Sequence, residues 1–127
     1  MTRDLLDSSF VIDLLNEIAD HDSEGAALKW LRRNRRAELR ISPVTLAEVL
    51  EGAEDADAVR AYLGRYGWQG IHRIQAETAA LRQRRSKARL GENDAWQAAV
   101  AECMKARVLA HDDAFKHLAA GYEDYRP

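Results

Sequence analysis

An α/β sandwich, with a mainly parallel central sheet flanked by helices, is the fold class predicted by three features of this sequence. Short apolar runs alternate along the chain with longer segments of helical period, and strands separated by helices pair in parallel through right-handed crossovers. The length of 127 residues suits one compact domain over 1–127 and leaves no room for a second module. Hydrophobic residues make up 46% and charged residues 31%, with a net charge of only −2, which excludes a disordered chain.

Residues 4–7, continuing through Val11, read as a strand that runs into a turn at Ser8 and Ser9, and residues 13–17 as a short helix. From 23 to 34 the spacing of Ala27, Trp30 and Leu31 lays one apolar stripe at helical period, with Ser23 as its cap. Residues 38–41 are a short strand. Ser42 and Pro43 behind it suit the cap and first position of a helix over 43–51 that stops near Gly52. A further helix covers 55–63 and ends at Gly64, and the alternation in 69–74 fits a strand. Residues 75–90 are helical up to Gly91, after which Asn93 caps a helix whose stripe is Trp96, Ala99, Val100 and Cys103. Val108, Leu109 and Ala110 centre a strand over 107–111, and 122–125 supply an edge strand.

The single cysteine, Cys103, permits no intrachain disulfide and, on the Trp96 stripe, reads as an inert buried thiol. Asp4, Asp7 and Asp13 interrupt the amino-terminal apolar segment, so neither a signal peptide nor a membrane span is expected and the cytoplasm is the default compartment. Charge is unevenly spread. Residues 29–40 carry +5 and residues 82–89 another +5, which leaves −12 for the rest of the chain. Fifteen of the 19 basic residues are arginine, whose planar fork suits phosphate. Both runs read equally well as solvated helix faces whose long stems cover apolar surface.

Open parallel sheets bind ligands outside the carboxyl ends of their strands. Asp7 falls where the first apolar run gives way to a turn, and Asp112 just after the strand over 107–111, so both project from such ends. Asp94 lies in the first turn of its helix, where the helix dipole favours a carboxylate and capping alone would account for it. Glu48 lies in a short helix among Leu46, Ala47, Val49 and Leu50, and turned inward it needs a partner or a solvated cleft. Four acids from four elements suit an all-oxygen site, although scattered aspartates are common without one. Such a site repels itself when empty, and hard oxygen ligands without committed His or Cys suit Mg²⁺ or Mn²⁺ rather than Zn²⁺. A divalent ion between carboxylates lowers the pKa of water and neutralises charge developing on phosphate, the chemistry of phosphodiester hydrolysis.

Four blocks in order carry a family resemblance. LLDSSFVIDLL at 5–15 resembles the opening strand of PIN-domain nucleases, with Asp7 on the first acid and Ser8 and Ser9 behind it. SPVTLAEVLEG at 42–52 is similar to the second segment and places Glu48 on its glutamate; LGENDAWQAA at 90–99 is similar to the third, with Asp94 as its acid. VLAHDDAF at 108–115 is similar to the fourth, an acid followed by two residues and Phe115, which assigns the role to Asp112 rather than Asp113. The set resembles most the VapC-type toxins of toxin–antitoxin pairs, departing at His111, where such toxins usually carry Arg or another polar residue.

The resemblance implies a PIN-like three-layer sandwich and an Mg²⁺- or Mn²⁺-dependent endoribonuclease that dimerises and is neutralised by a VapB-type antitoxin. It implies that Asp7, Glu48, Asp94 and Asp112 are both the catalytic residues and the metal ligands, that water attacks the RNA phosphorus, and that a 5′-phosphate and a 3′-hydroxyl result. Ser9 then orients a ligand or hydrogen-bonds the turn backbone, and Asp113 joins the cluster or caps a helix. Basic side chains beside the acids, from Arg32, Arg33, Arg35 and Arg36 or from Arg82, Arg85 and Arg89, would hold the RNA backbone.

Other readings fit less well. His111–Asp112 and His21–Asp22 spell the dyad of all-helical phosphohydrolases, against which the strands around Val108 and Leu5 argue. A receiver-like site requires a lysine after a late strand, and Lys116 falls on the wrong side of Phe115. Trp30, Trp68 and Trp96 could stack bases, but the stripes favour core or dimer packing for Trp30 and Trp96. A non-catalytic binding or regulatory partner, whose acidic pocket accepts an arginine, remains the alternative function.

Overall fold

A computed structural model of the chain describes residues 2–87, 89–116 and 121–126. Its centre is β1 (Arg3–Leu6), flanked by β2 (Glu38–Ile41) and β4 (Arg107–Ala110), with β3 (Gly67–Trp68) and β5 (Tyr122–Asp124) at the edges. The order is β3-β2-β1-β4-β5 and every pairing is parallel, so the expected mainly parallel sheet is wholly parallel. Asp4 lies opposite both Leu39 and Arg107.

Alternation along the strands splits the core between the two faces of the sheet. Leu6, Ile41 and Leu109 face one cluster, built with Phe10, Val11 and Leu14 of α1 (Ser8–Ala19), Trp30 of α2 (Ala26–Arg33), Val49 of α3 (Pro43–Glu51) and Leu63 of α4 (Ala56–Leu63). Leu5, Val108 and Ala110 face the other, with Val100 and Ala101 of α6 (Glu92–Cys103) and Phe115. α5 (Arg73–Arg85) packs on α6. These are the three layers of the expected sandwich. Among the described residues no helix is long and apolar enough to cross a membrane.

The segment around 43–51 forms as its residues dictate: Ser42 caps α3, Pro43 opens it and Gly52 closes it. Several expected boundaries move. The turn at Ser8 and Ser9 is the start of α1, which absorbs the short helix of 13–17, because Asp7 caps it and the helix begins at once. Gly25, not Ser23, precedes α2. The carboxylate of Glu17 on α1 accepts from the backbone N–H of Ala27 (3.1 Å) and Leu28 (2.9 Å), and a Cβ at position 25 would overlap that carboxyl group.

The expected strand at 69–74 gives way to the two-residue β3 and a helix entry, where His72 and Gln75 form a capping box. α5 ends at Arg85 rather than at 90, and the Gln83 amide, bonded to both N–H and C=O of Leu90, holds the chain beyond it. Gly91 rather than Asn93 caps α6. α6 touches β1, β4, α3 and α5, so Ala95 and residues 97–101 are all buried; Trp96, expected in core or dimer packing, and Cys103, expected inside, are half-buried. Cys103 lies 3.6 Å from the Thr78 hydroxyl, so the expected inert buried thiol is a partly exposed one. Trp30 is in the core as expected, edge-on to Phe10, with its indole N–H on Glu123.

Candidate active site

The carboxyl ends of the two central strands bring the acids together. Asp7 leaves β1 and at once caps α1, so its Oδ2 accepts from the Ser9 backbone N–H (3.2 Å) and hydroxyl (2.8 Å). The same hydroxyl accepts from the backbone N–H of His111 (3.1 Å), tying the end of β1 to the end of β4. Asp112 follows, its Oδ1 accepting from the Ala114 N–H (2.9 Å) and its own N–H donating to the Tyr122 hydroxyl (3.2 Å). Glu48 projects from α3 and takes the Ser8 hydroxyl at 3.2 Å, the partner its half-buried position requires.

Asp94, in the first turn of α6, is pushed up to about 6, first by burial and then by the charges of Asp112, Asp7 and Glu48. The charges of the other three acids therefore reach Asp94. Among the described residues no group of three or more His, Cys, Asp or Glu side chains is arranged to hold a metal ion, so the four share a field rather than a closed ligand shell. The donor set is nevertheless all oxygen, and the excess negative charge that raises Asp94 is what a hard divalent cation relieves.

The sequence matches the PIN domain family across residues 5–121. The chain belongs to the PIN domain family. No curated protein sequence matches it. Among solved structures, the fold is similar to a toxin–antitoxin complex from Klebsiella pneumoniae (TM-score 0.76, 23% identity, 95% of this chain and 96% of that one). It is similar also to VapBC2 from Rickettsia felis bound to a promoter DNA fragment (0.74, 15%, 97% and 98%). VapC20 from Mycobacterium tuberculosis, a sarcin–ricin-loop-cleaving toxin, aligns at 0.74 with 25% identity over 98% and 99% of the two chains.

In this PIN domain the neighbours of the acids are now placed. Ser9 bonds both Asp7 and the backbone at 111. Asp113 opens a short 3-10 turn and pairs with Lys116 (2.9 Å), which holds its carboxyl below the usual range. The His111 ring is tethered to Asp124 at 3.0 Å. Arg32, Arg33, Arg35 and Arg36 line a surface with Thr2 and Ala37, at the amino ends of β1 and β2 and so at the pole opposite the acids. The second basic run, at the end of α5, lies beside the start of α6 that carries Asp94.

Sequence reasoning missed Gln97. Fully buried, it donates to Asp7 Oδ1 (3.4 Å) and Thr45 Oγ1 (2.7 Å) and accepts from the Ser42 hydroxyl (2.5 Å), while Thr45 donates to the Leu6 carbonyl (2.7 Å). Because the Asp7 carboxylate only accepts and the Thr45 hydroxyl proton goes to Leu6, the amide nitrogen is the end that faces both, which leaves the amide oxygen to accept from Ser42. It missed Asp4 too, buried in β1 at the other end of the strand. Arg107 binds it through Nε (3.0 Å), yet burial outweighs the guanidinium and leaves the carboxyl above its ordinary value. For Asp4 the available signal was a carboxylate at the head of an apolar strand.

Proposed function

We propose that this PIN domain, taken as a single domain over 1–127, is a divalent-metal-dependent endoribonuclease toxin of the VapC type that hydrolyses RNA phosphodiester bonds. Asp7, Glu48, Asp94 and Asp112 hold Mg²⁺ or Mn²⁺, directly or through water. The observation that carries this reading is the placement of four carboxylates at the carboxyl ends of β1 and β4 and on α3 and α6, with Asp94 raised first by burial and then by the charges of the other three. The structural likeness to toxin–antitoxin complexes supports a VapB-type antitoxin as partner; a homodimer acting in the cytoplasm is part of the same proposal.

A bound divalent ion supplies charge neutralisation at phosphate and an acidified water. The chain supplies position. Ser9 and Gln97 occupy the two oxygens of Asp7 from opposite sides, the Ala114 N–H fixes Asp112, and Ser8 orients Glu48. The four acids would repel an RNA phosphate in the absence of the ion, and a bound divalent ion would relieve that repulsion.

The test is cleavage of structured RNA by the purified protein in Mn²⁺, beside its Asp7→Asn variant. Cutting by the parent and none by the variant is the expected result. Failure of the parent to cut any RNA in Mn²⁺ would leave the acids as a socket for an arginine of a partner, the alternative reading.

A further inference from the structure

Two surface grooves adjoin at Trp96. The first, about 290 Å³, runs between α3 and α6 and includes Ala47 and Asn93, the residues immediately before Glu48 and Asp94. The second, about 350 Å³, runs between α5 and α6 over a floor of alanines and ends at Arg84 and Arg89. Trp96 forms part of both walls, is half-buried, and its indole N–H has no hydrogen-bond partner among the described residues. Arg82 is bound to Glu102, but Arg84, Arg85, Lys87 and Arg89 pair with no acid among the described residues.

At one end the trough is lined by apolar residues and Asn93, on the two helices that carry Glu48 and Asp94, and at the other by Arg84 and Arg89; with a flat aromatic wall between, it matches a nucleotide strand piece by piece. A base has a π-face for Trp96, and phosphates have the charge that the unpaired arginines lack. Glu92 in the same groove offers an acceptor for the exocyclic amine of a base. We propose that this trough seats a single-stranded stretch of RNA, one base stacked on Trp96 and its flanking phosphates on Arg84 and Arg89, leading to the four carboxylates. The assignment rests on the nuclease reading above. It gives the second basic run a role that the first, at the opposite pole, does not share.

The Asp112→Asn protein, kept without divalent metal so that RNA stays intact, is titrated with a fluorescein-labelled single-stranded RNA and binding is read by anisotropy at several salt concentrations. Trp96→Leu is expected to weaken binding about 5- to 150-fold, the loss of one stacked base, while Trp96→Phe keeps most of the affinity. The Arg84→Gln/Arg89→Gln pair is expected to lower the slope of log K against log salt by about 1.4, two phosphates at about 0.7 each. Arg33→Gln/Arg36→Gln at the far pole is expected to bind like the parent. Thermal melts of each variant separate lost binding from lost folding.

RNA binding by Trp96→Leu and by the Arg84/Arg89 variant that equals the parent's overturns the seat. So does displacement of the RNA by polyglutamate that is insensitive to Trp96. The unmutated protein is assayed for RNA cleavage in Mn²⁺ alongside. No cleavage with the binding shifts intact removes the nuclease reading and leaves the seat; cleavage without the shifts does the reverse.

Discussion

At Gln97 one side-chain amide serves Ser42, Thr45 and Asp7, and so connects α6 to the start of α3 and the end of β1. Gln97→Met keeps the volume and removes every one of those bonds, leaving buried polar atoms without partners, which costs about 1–3 kcal/mol. Urea unfolding should show that loss, and calorimetry should show weaker Mn²⁺ binding as Asp7 loses a donor. Ser42→Ala leaves the amide nitrogen beside Asp7, so it should lose stability with a smaller change in affinity; unchanged Mn²⁺ affinity in Gln97→Met would refute the positioning role. None of this was legible in the sequence, because Ser42 and Gln97 are 55 residues apart and a glutamine among alanines reads as surface. Asp94 makes the second prediction at this scale. The folded chain binds its proton at about pH 6 against an ordinary 3.8, so between those values the folded state holds more protons than the unfolded one. Metal-free stability from this group therefore rises as pH falls from about 6 toward 4. Asp94→Asn should flatten that window and stabilise the metal-free protein at pH 7, both read from urea midpoints across pH.

Among the elements, α1 joins the site to the core. Its cap is Asp7, and one turn later Phe10, wholly buried, meets Trp30 and Tyr125 edge-on at 5.9 and 5.0 Å between ring centroids. Phe10→Ala should cost about 3–5 kcal/mol, measured by urea unfolding. Glu17→Ala removes the carboxylate that caps α2 from outside and should cost about 1 kcal/mol, far less than the core truncation. α3 was readable because Ser42, Pro43 and Gly52 are local signals that agree. α2's true start was not, since its cap comes from another helix. Nor was the strand in 69–74 correctly placed: a capping box of histidine and glutamine is an uncommon signature, and an alternating apolar stretch before it imitates a strand.

Across the whole molecule, the parallel sheet was legible because strands buried on both faces must be short apolar runs, and Leu5–Leu6 and Val108–Ala110 are such runs. The positions of Asp7 and Asp112 followed from it, since both sit where those runs end. Which strand neighbours which depends on long-range pairing, and β3, two residues long with Trp68 exposed, leaves almost no periodic trace. The two arginine-rich runs looked alike in the sequence, and the fold sends them to opposite poles. A cation that binds only the folded chain must also stabilise it, by about 2.7 kcal/mol at a hundredfold excess over Kd. Saturating Mn²⁺ should accordingly raise the melting temperature, and EDTA should reverse the rise. Anomalous diffraction from a crystal grown with Mn²⁺ reaches the central claim most directly. A peak enclosed by Asp7, Glu48, Asp94 and Asp112 is the expected result; Mn²⁺ bound only elsewhere, or absent at millimolar concentration, would contradict it.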